Sequence, residues 1–287
     1  MSTARYRALV AVAQHGSLSA AARALGLSQP TISSQIATLE RQSRVDLFHR
    51  QGYRMTLTTA GARLFTLAQR LLSVESETEF FLRDAGELRQ GELNLGAVGP
   101  FHVIEMVAAY HALYPGMRLS IRMGNSQQVL RDLENYTTDV AVLAGLHEHP
   151  DLMALEYAQH AVILFAHVDH PLARRSEVDI TELNGQLLLM RERGSTTRAT
   201  MEAALAQARV TPRTALEIGS REAIREAVVR GLGLGVVSEA EFIPGPLLRP
   251  IRIKGDPAST TTYVYCMRAR SESVLIGSFL ASIQRLR

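Results

Sequence analysis

Residues 15–39 constrain this chain more than any other stretch, because they spell two short helices joined by a glycine turn. Ser17 and Ser19 are cap-type residues ahead of the alanine-rich run 20–25, whose small side chains let another helix approach closely. Gly26 supplies a turn at which positive φ meets no Cβ clash, and Leu27 plugs the corner. Ser28 is placed to cap the second helix, and Pro30 suits its first turn, where the missing N–H is not needed. Ile32, Ile36 and Leu39 then recur at intervals of four and three, which marks a buried stripe. The opposite face carries Pro30, Thr31, Ser33, Ser34, Thr38 and Arg41, short hydrogen-bonding groups with almost no charge. Such a face suits a helix lying in the major groove and touching base edges, whereas a merely solvated helix usually carries Glu and Lys there. The competing reading is a helical hairpin in which Ser and Thr serve only as caps.

Charge divides the chain the same way. Residues 1–60 hold seven arginines against Glu40 and Asp46, while the remainder has a slight acidic excess, so the whole-chain charge of +3 hides a basic head on a weakly acidic body. Only the head has the electrostatic footprint for phosphate. Arg50 and Arg54 flank the short turn 51–53 between alternating segments, which reads as a small β wing able to put one or both arginines on the backbone or in the minor groove. The other reading of either arginine is plain solvated surface.

A long helix follows from residue 58. Leu64, Leu67, Leu71, Val74, Thr78, Phe81, Ala85 and Leu88 succeed one another at alternating intervals of three and four, a heptad seam that points to a coiled coil with a partner chain. A long helix lying on its own core is the alternative. Two recognition helices on a two-fold axis would read a pseudo-palindromic site.

From residue 91 the pattern changes again. Segments 93–98, 118–123 and 139–144 read as strands, with helices at 103–114 and 127–135 between them. A comparable run, with strands at 187–190 and 214–218, helices at 197–208 and 221–230, and a glycine-rich turn into a strand at 231–237, follows later. Strands and helices alternating at these lengths imply a parallel sheet covered on both faces, here twice, and hence two α/β lobes. Segments 161–168 and 262–267 are positioned as crossings between the lobes, and 274–286 as a last helix returning to the first. This places domains at 1–58, 59–90 and 91–287, with lobe I at about 91–160 and 266–287 and lobe II at about 161–265. A cleft between such lobes is a small-molecule site.

The chain resembles the LysR-type transcriptional regulators over essentially its whole length. Residues 20–34 (AAARALGLSQPTISS) carry this most specifically, supported by 47–50 (LFHR), 57–61 (LTTAG), 114–116 (YPG) and 231–235 (GLGLG). The resemblance implies an α/β fold with an N-terminal winged helix-turn-helix, a long linker helix and a two-lobed effector domain like the periplasmic solute-binding proteins. It implies double-stranded promoter DNA as partner, a homodimer through the linker helices that pairs into a homotetramer, activation with RNA polymerase as a further partner, and no cofactor. It carries DNA contacts onto Gln29, Pro30, Ser33, Ser34 and Arg50; with the outer face and the wing the full set is Ser28, Gln29, Pro30, Thr31, Ser33, Ser34, Thr38, Arg50 and Arg54. Many members have arginine where this chain has Ser34.

Three predicted helix starts offer hydroxyls, amides or free N–H groups toward the cleft: Pro100, Phe101 and His102; Asn125 and Ser126; and Ser195, Thr196, Thr197 and Arg198. Ser220, Arg221 and Glu222 form a fourth. Each sits at the positive end of a helix dipole, which is how a protein holds phosphate, phosphonate, sulfate or carboxylate without a metal. Singly each is an ordinary cap; together they favour an anionic or zwitterionic effector, with Glu222 or Glu105 as partner for an ammonium group. The effector domain further resembles a subgroup associated with 2-aminoethylphosphonate catabolism, through 122–127 (RMGNSQ), 216–227 (LEIGSREAIREA) and 235–242 (GVVSEAEF). Another small carboxylate, amino acid or oxyanion, or DNA binding without an effector, are the alternatives.

Other classes fit less well. The nine histidines show no metal-ligand spacing, and no nucleophile–base pair stands out, so an enzyme is not expected. The turn at 231–235 follows a helix and so is not a dinucleotide fingerprint. The apolar run 9–13 is cut short by Gln14 and His15, no run is long enough to span a bilayer, and a cytoplasmic location is expected. The single cysteine, Cys266, lies in an apolar strand and reads as core.

Overall fold

A computed structural model describes residues 3–84 and 90–286, and the chain divides into two compact units. The first holds Met1–Gly91 together with Glu134–Thr138. Its head is built from α1 (Ala4–His15), α2 (Leu18–Leu25) and α3 (Gln29–Ser43), followed by a hairpin of β1 (Phe48–Gln51) and β2 (Arg54–Leu57) and then the long α4 (Thr59–Asp84). Ser17 Oγ accepts from the Ala20 N–H to start α2, and Gly26 ends it with φ at 64°. Ser28 Oγ accepts from the Thr31 N–H at 3.3 Å to start α3. Ile32, Ile36 and Leu39 pack with Leu9, Val12, Ala21, Ala22, Leu47, Phe48 and Met55 in one core. The wing is antiparallel, with Phe48 opposite Leu57 and Gln51 opposite Arg54, and the Met55 N–H donates to the Gly16 carbonyl at 2.8 Å, tying it to the head.

On α4 the expected seam divides in two. Leu64 packs against the head core, whereas Leu67, Leu71 and Val74 are 58%, 44% and 55% exposed. Ala85 and Leu88 lie outside the described residues, as does the side chain of Phe81.

The second unit, Glu92–Leu133 with Asp139–Arg287, holds both lobes. Lobe I orders its strands β4 (Met117–Met123), β3 (Gly91–Ala97), β5 (Val140–Ala144), β12 (Ser259–Met267) and β6 (Leu152–His167), with helices α5 (Pro100–Leu113), α6 (Ser126–Glu134) and α9 (Val274–Gln284). Lobe II continues from β6 through β10 (Leu234–Ser238) and β8 (Leu187–Met190) to β9 (Arg213–Glu217), with α7 (Thr196–Gln207) and α8 (Arg221–Val229). On its other side β11 (Leu248–Ile253) pairs with both β6 and β7 (Glu177–Val178). β3 runs parallel to β5, and β8 parallel to β9 and β10.

One strand joins the lobes. The first ten residues of β6, 152–161, pair with β12, while 162–167 lie between β10 and β11. In that second half Val162, Leu164 and Ala166 face the core holding Met201 and Leu205, and Ile163 and Phe165 face Ile224 and Val228 of α8. Both faces are buried, which is why this stretch reads as a continuous apolar run. β12 pairs with the first half of β6 over 259–267 and with β5 over 262–266, so the segment expected as a crossing at 262–267 is the second half of a strand that starts at Ser259. The segment expected as a crossing strand at 161–168 is likewise the second half of a longer one.

Candidate functional site

In the head, the outer face of α3 is open. Ser28, Gln29, Pro30, Thr31 and Ser34 are exposed, and Ser33 and Thr38 half-buried. Some of these groups are partly engaged: Gln29 Oε1 accepts from the Ser19 hydroxyl at 2.9 Å, Ser28 and Thr31 share a hydroxyl contact at 2.8 Å, and the Thr38 hydroxyl donates to the Ser34 carbonyl at 2.7 Å. Arg50 and Arg54 both stand exposed on the wing, where Arg50 lies 3.4 Å from Glu40. Glu40 Oε1 also accepts from the Leu47 N–H at 3.0 Å, so this carboxylate fixes the entry to the wing. At the hairpin tip Tyr53 is 96% exposed.

In the two-lobed unit the C-terminal ends of the parallel strands open on a cleft, as open α/β sheets place their ligands. One polar cavity of about 300 Å³ is lined by Asn125 and Ser126 from the start of α6, and by Ser195, Thr196 and Thr197 from the start of α7. Two helix N-termini from opposite lobes therefore share one cavity. Asn125 Oδ1 accepts from the Gln128 N–H at 2.9 Å and caps α6; the Thr196 hydroxyl donates to the Ala144 carbonyl at 3.1 Å and joins α7 to β5 across the cleft. Phe101 and His102 line an adjoining cavity of about 420 Å³ with Arg221, Glu241, Ser238 and the buried Thr260 and Thr262.

Of the remaining expected residues, Arg221 also borders the polar cavity, and the others lie apart from it. Pro100 is exposed at the first turn of α5. Arg198 is turned away: its guanidinium donates to Glu217 at 2.6 Å, Glu202 at 2.8 Å and the Arg191 carbonyl at 2.7 Å, so it braces α7 against β9. Ser220 caps α8 and donates to Glu222 at 2.6 Å, while Glu222 borders a different, apolar cavity. Glu105 accepts from the Tyr157 hydroxyl at 3.2 Å.

Two residues that the sequence reading passed over sit in the polar cavity. Arg191 and Glu192 follow β8 directly and pair through Nε at 2.7 Å and Nη2 at 2.8 Å. Burial would push the Glu192 carboxyl up, but the Arg191 guanidinium holds it below the usual carboxylate range. Their position just beyond the C-terminal end of a parallel strand was the available signal.

His102 stacks on His160 with ring centroids 5.1 Å apart and meets Tyr157 edge-on at 5.4 Å. Burial, reinforced by His160, holds its imidazole below the ordinary histidine range. Cys266 is fully buried, and desolvation pushes its thiol up to about 11, which leaves it protonated at neutral pH and unreactive. Among the described residues no three His, Cys, Asp or Glu side chains group as metal ligands, and no helix is long and apolar enough to cross a membrane.

Comparison with known proteins places these two units in a family. Residues 86–287 match the family described as LysR substrate binding domain, and residues 3–62 the bacterial regulatory helix-turn-helix protein, lysR family. The chain is 29% identical over 282 residues to the HTH-type transcriptional activator CmpR of Synechocystis, covering 96% of this chain and 92% of that one. A full-length OxyR variant from Pseudomonas aeruginosa superposes with a TM-score of 0.80 at 22% identity, covering 99% of this chain and 95% of that one. The regulatory domain of Synechocystis CcmR in complex with 2-PG superposes with a TM-score of 0.63 at 28% identity, covering 69% of this chain and 97% of that one. The chain therefore belongs to the LysR family of DNA-binding transcriptional regulators, with an N-terminal helix-turn-helix and a small-molecule effector domain, and is not an enzyme.

Proposed function

We propose that this regulator is a cytoplasmic activator of a catabolic operon, controlled by a small organic effector that carries a phosphonate, phosphate or carboxylate group and is seated in the polar cavity between the lobes. The observation that carries this reading is the convergence of the α6 and α7 N-termini, with Asn125, Ser126, Ser195, Thr196 and Thr197, on one cavity beside Arg191. Helix N-termini and hydroxyls hold an oxyanion without a metal. Glu192 in the same cavity offers a partner for an ammonium group, which makes 2-aminoethylphosphonate the leading candidate. The CcmR domain with 2-PG supports an anionic ligand in a related domain, and the name of CmpR supports activation.

On DNA, α3 enters the major groove and the wing arginines Arg50 and Arg54 take the flanking backbone or minor groove. Two copies associate through α4, whose Leu67, Leu71 and Val74 are exposed in the single chain, and dimers pair into a tetramer that engages RNA polymerase. Effector binding shifts lobe closure, and differential affinity for the two arrangements is what would couple it to promoter geometry.

A thermal-shift titration of the full chain tests the effector, with 2-aminoethylphosphonate beside 2-PG, inorganic phosphate and sulfate. A ligand at about 100 times its dissociation constant adds roughly 2.7 kcal/mol of stability. A saturable shift with 2-aminoethylphosphonate that disappears in Ser195→Ala/Thr196→Ala is expected. A shift with 2-PG alone would keep the anion cavity and replace the ligand; no shift with any of the four would remove the effector reading.

A further inference from the structure

A third cavity, of different character, lies mainly in lobe II. It measures about 500 Å³ and is walled by Phe165, Ile224, Val236, Val237, Phe242 and Ile243, with Phe101 reaching over from α5. Four charged side chains border this apolar space: Arg221, Glu222, Arg225 and Glu241. Three are already satisfied. Arg221 Nε donates to Glu241 at 2.6 Å, and Glu222 accepts from the Ser220 hydroxyl at 2.6 Å. The fourth is not: Arg225 has a buried Nε without a hydrogen-bond partner, and no carboxylate pairs with it among the described residues. Its guanidinium lies against the backbone at Gly245, where even a methyl group would stand only 2.9 Å from Nη2.

A guanidinium with a buried, unpaired N–H beside apolar walls carries a desolvation cost, and its preferred partner is a carboxylate. The apolar walls fix the rest of the ligand. We infer that this cavity is a second ligand site, taking a small carboxylate with an apolar body, its carboxylate on Arg225 and its hydrocarbon against Phe165, Val237 and Phe242. The site and the polar cavity share only Arg221, both adjoin the cavity lined by Phe101, His102 and Glu241, and none of the α6 or α7 N-terminal hydroxyls lines the apolar one. A phosphonate or phosphate dianion fits it poorly, since a single free cation faces mostly hydrocarbon.

Phenylacetate is the probe, with phenylacetamide as its neutral isostere, titrated calorimetrically into the full chain. Saturable binding of phenylacetate, no binding of phenylacetamide, and at least tenfold weaker phenylacetate binding by Arg225→Gln are expected. Ile243→Trp, a substitution at a 48% exposed position on the cavity wall, provides the second variant and should abolish binding by filling the space without changing the melting temperature. Binding that persists in Ser195→Ala/Thr196→Ala separates this site from the anion cavity, whatever becomes of the 2-aminoethylphosphonate reading. Absence of phenylacetate binding, equal binding of the amide, an unchanged affinity in Arg225→Gln and Ile243→Trp, or loss of binding in the Ser195→Ala/Thr196→Ala chain would each overturn the assignment.

Discussion

Arg221 Nη1 donates to the Val98 carbonyl at 2.8 Å, so the first residue of α8 in lobe II is fastened to the end of β3 in lobe I. The same guanidinium holds Glu241 through Nε, and both side chains are largely buried, at 22% and 13% exposure. One arginine thus spans the cleft and borders all three cavities. Replacing it strands a buried carboxylate and removes one of the two bonds described above that cross between the lobes. Arg221→Met should therefore lower the unfolding free energy by about 1–3 kcal/mol and speed amide exchange at residues 97–99 and 239–242. Exchange rates there identical to those of the parent would mean that the lobes are held by other contacts.

His102 gives the effector domain a pH dependence of predictable sign. Burial, then His160, lowers its affinity for a proton, against the opposing pull of Glu105 and Glu241. The unfolded chain titrates near 6.5, the ordinary histidine value, and so takes up the proton first. Stability is then complete above that pH, and falls as pH drops from about 6.5 toward the lower folded-state value. Burial lowers His170 in the same direction, so the informative quantity is the difference between chains. Urea unfolding at pH 7.5 and 5.5 should show a smaller acid loss in His102→Gln than in the parent. Equal losses would take His102 out of the acid response.

Gly61 is required by close packing rather than by backbone conformation. A Cβ placed there would sit 2.0 Å from the Leu47 carbonyl oxygen, because the first turn of α4 lies directly on the strand entry to the wing. The Gly61 N–H donates to the Thr58 hydroxyl at 2.9 Å, and Thr58 in turn donates to the Asp46 carbonyl at 2.7 Å, so the turn has little room to retreat. Gly61→Ala should cost about 1–3 kcal/mol in the head and weaken promoter binding through a shifted wing. A thermal melt followed by promoter titration checks both; an alanine chain with the parent's melting temperature would show that α4 can slide.

The head was the most legible part of the chain, because its caps and turns are local. Ser17, Gly26 and Ser28 do in the structure what their residue types dictate, and the stripe of Ile32, Ile36 and Leu39 is buried as its spacing requires. Long-range pairing was harder to read. The start of β12, Ser259–Thr262, carries hydroxyls where a buried strand is expected to be apolar; Thr260 and Thr262 are nevertheless buried, and only pairing with β6 reveals it. β11 carries a weak strand signal because Pro250 interrupts it, although Pro250 still sits opposite Phe165 of β6. In the cleft, hydroxyl-rich helix starts pointed to Asn125, Ser126 and Ser195–Thr197, but a sequence cannot say which way a long side chain turns. Arg198 turns outward to Glu217, and the cavity takes Arg191 instead.

On α3 and the wing, position and charge make separable predictions. Ser33 and Ser34 lie on the outer face of α3 with Thr31 and Thr38, Thr31 and Ser34 exposed and Ser33 and Thr38 half-buried. On the proposed docking, a carboxylate on that face would meet the phosphates as well as the acceptor-rich base edges. Ser33→Glu/Ser34→Glu should therefore abolish specific promoter binding while size-exclusion chromatography shows the parent's oligomer, since neither residue belongs to the core of the head. Arg54 is exposed, and no hydrogen bond or ion pair of its side chain occurs within the described residues, so on the proposed reading it is expected to contribute charge alone. Arg54→Ala should weaken binding to specific and unrelated duplexes by similar factors and reduce the slope of log affinity against log salt by about one. A loss confined to the specific site, with an unchanged salt slope, would instead assign Arg54 to base reading in the minor groove.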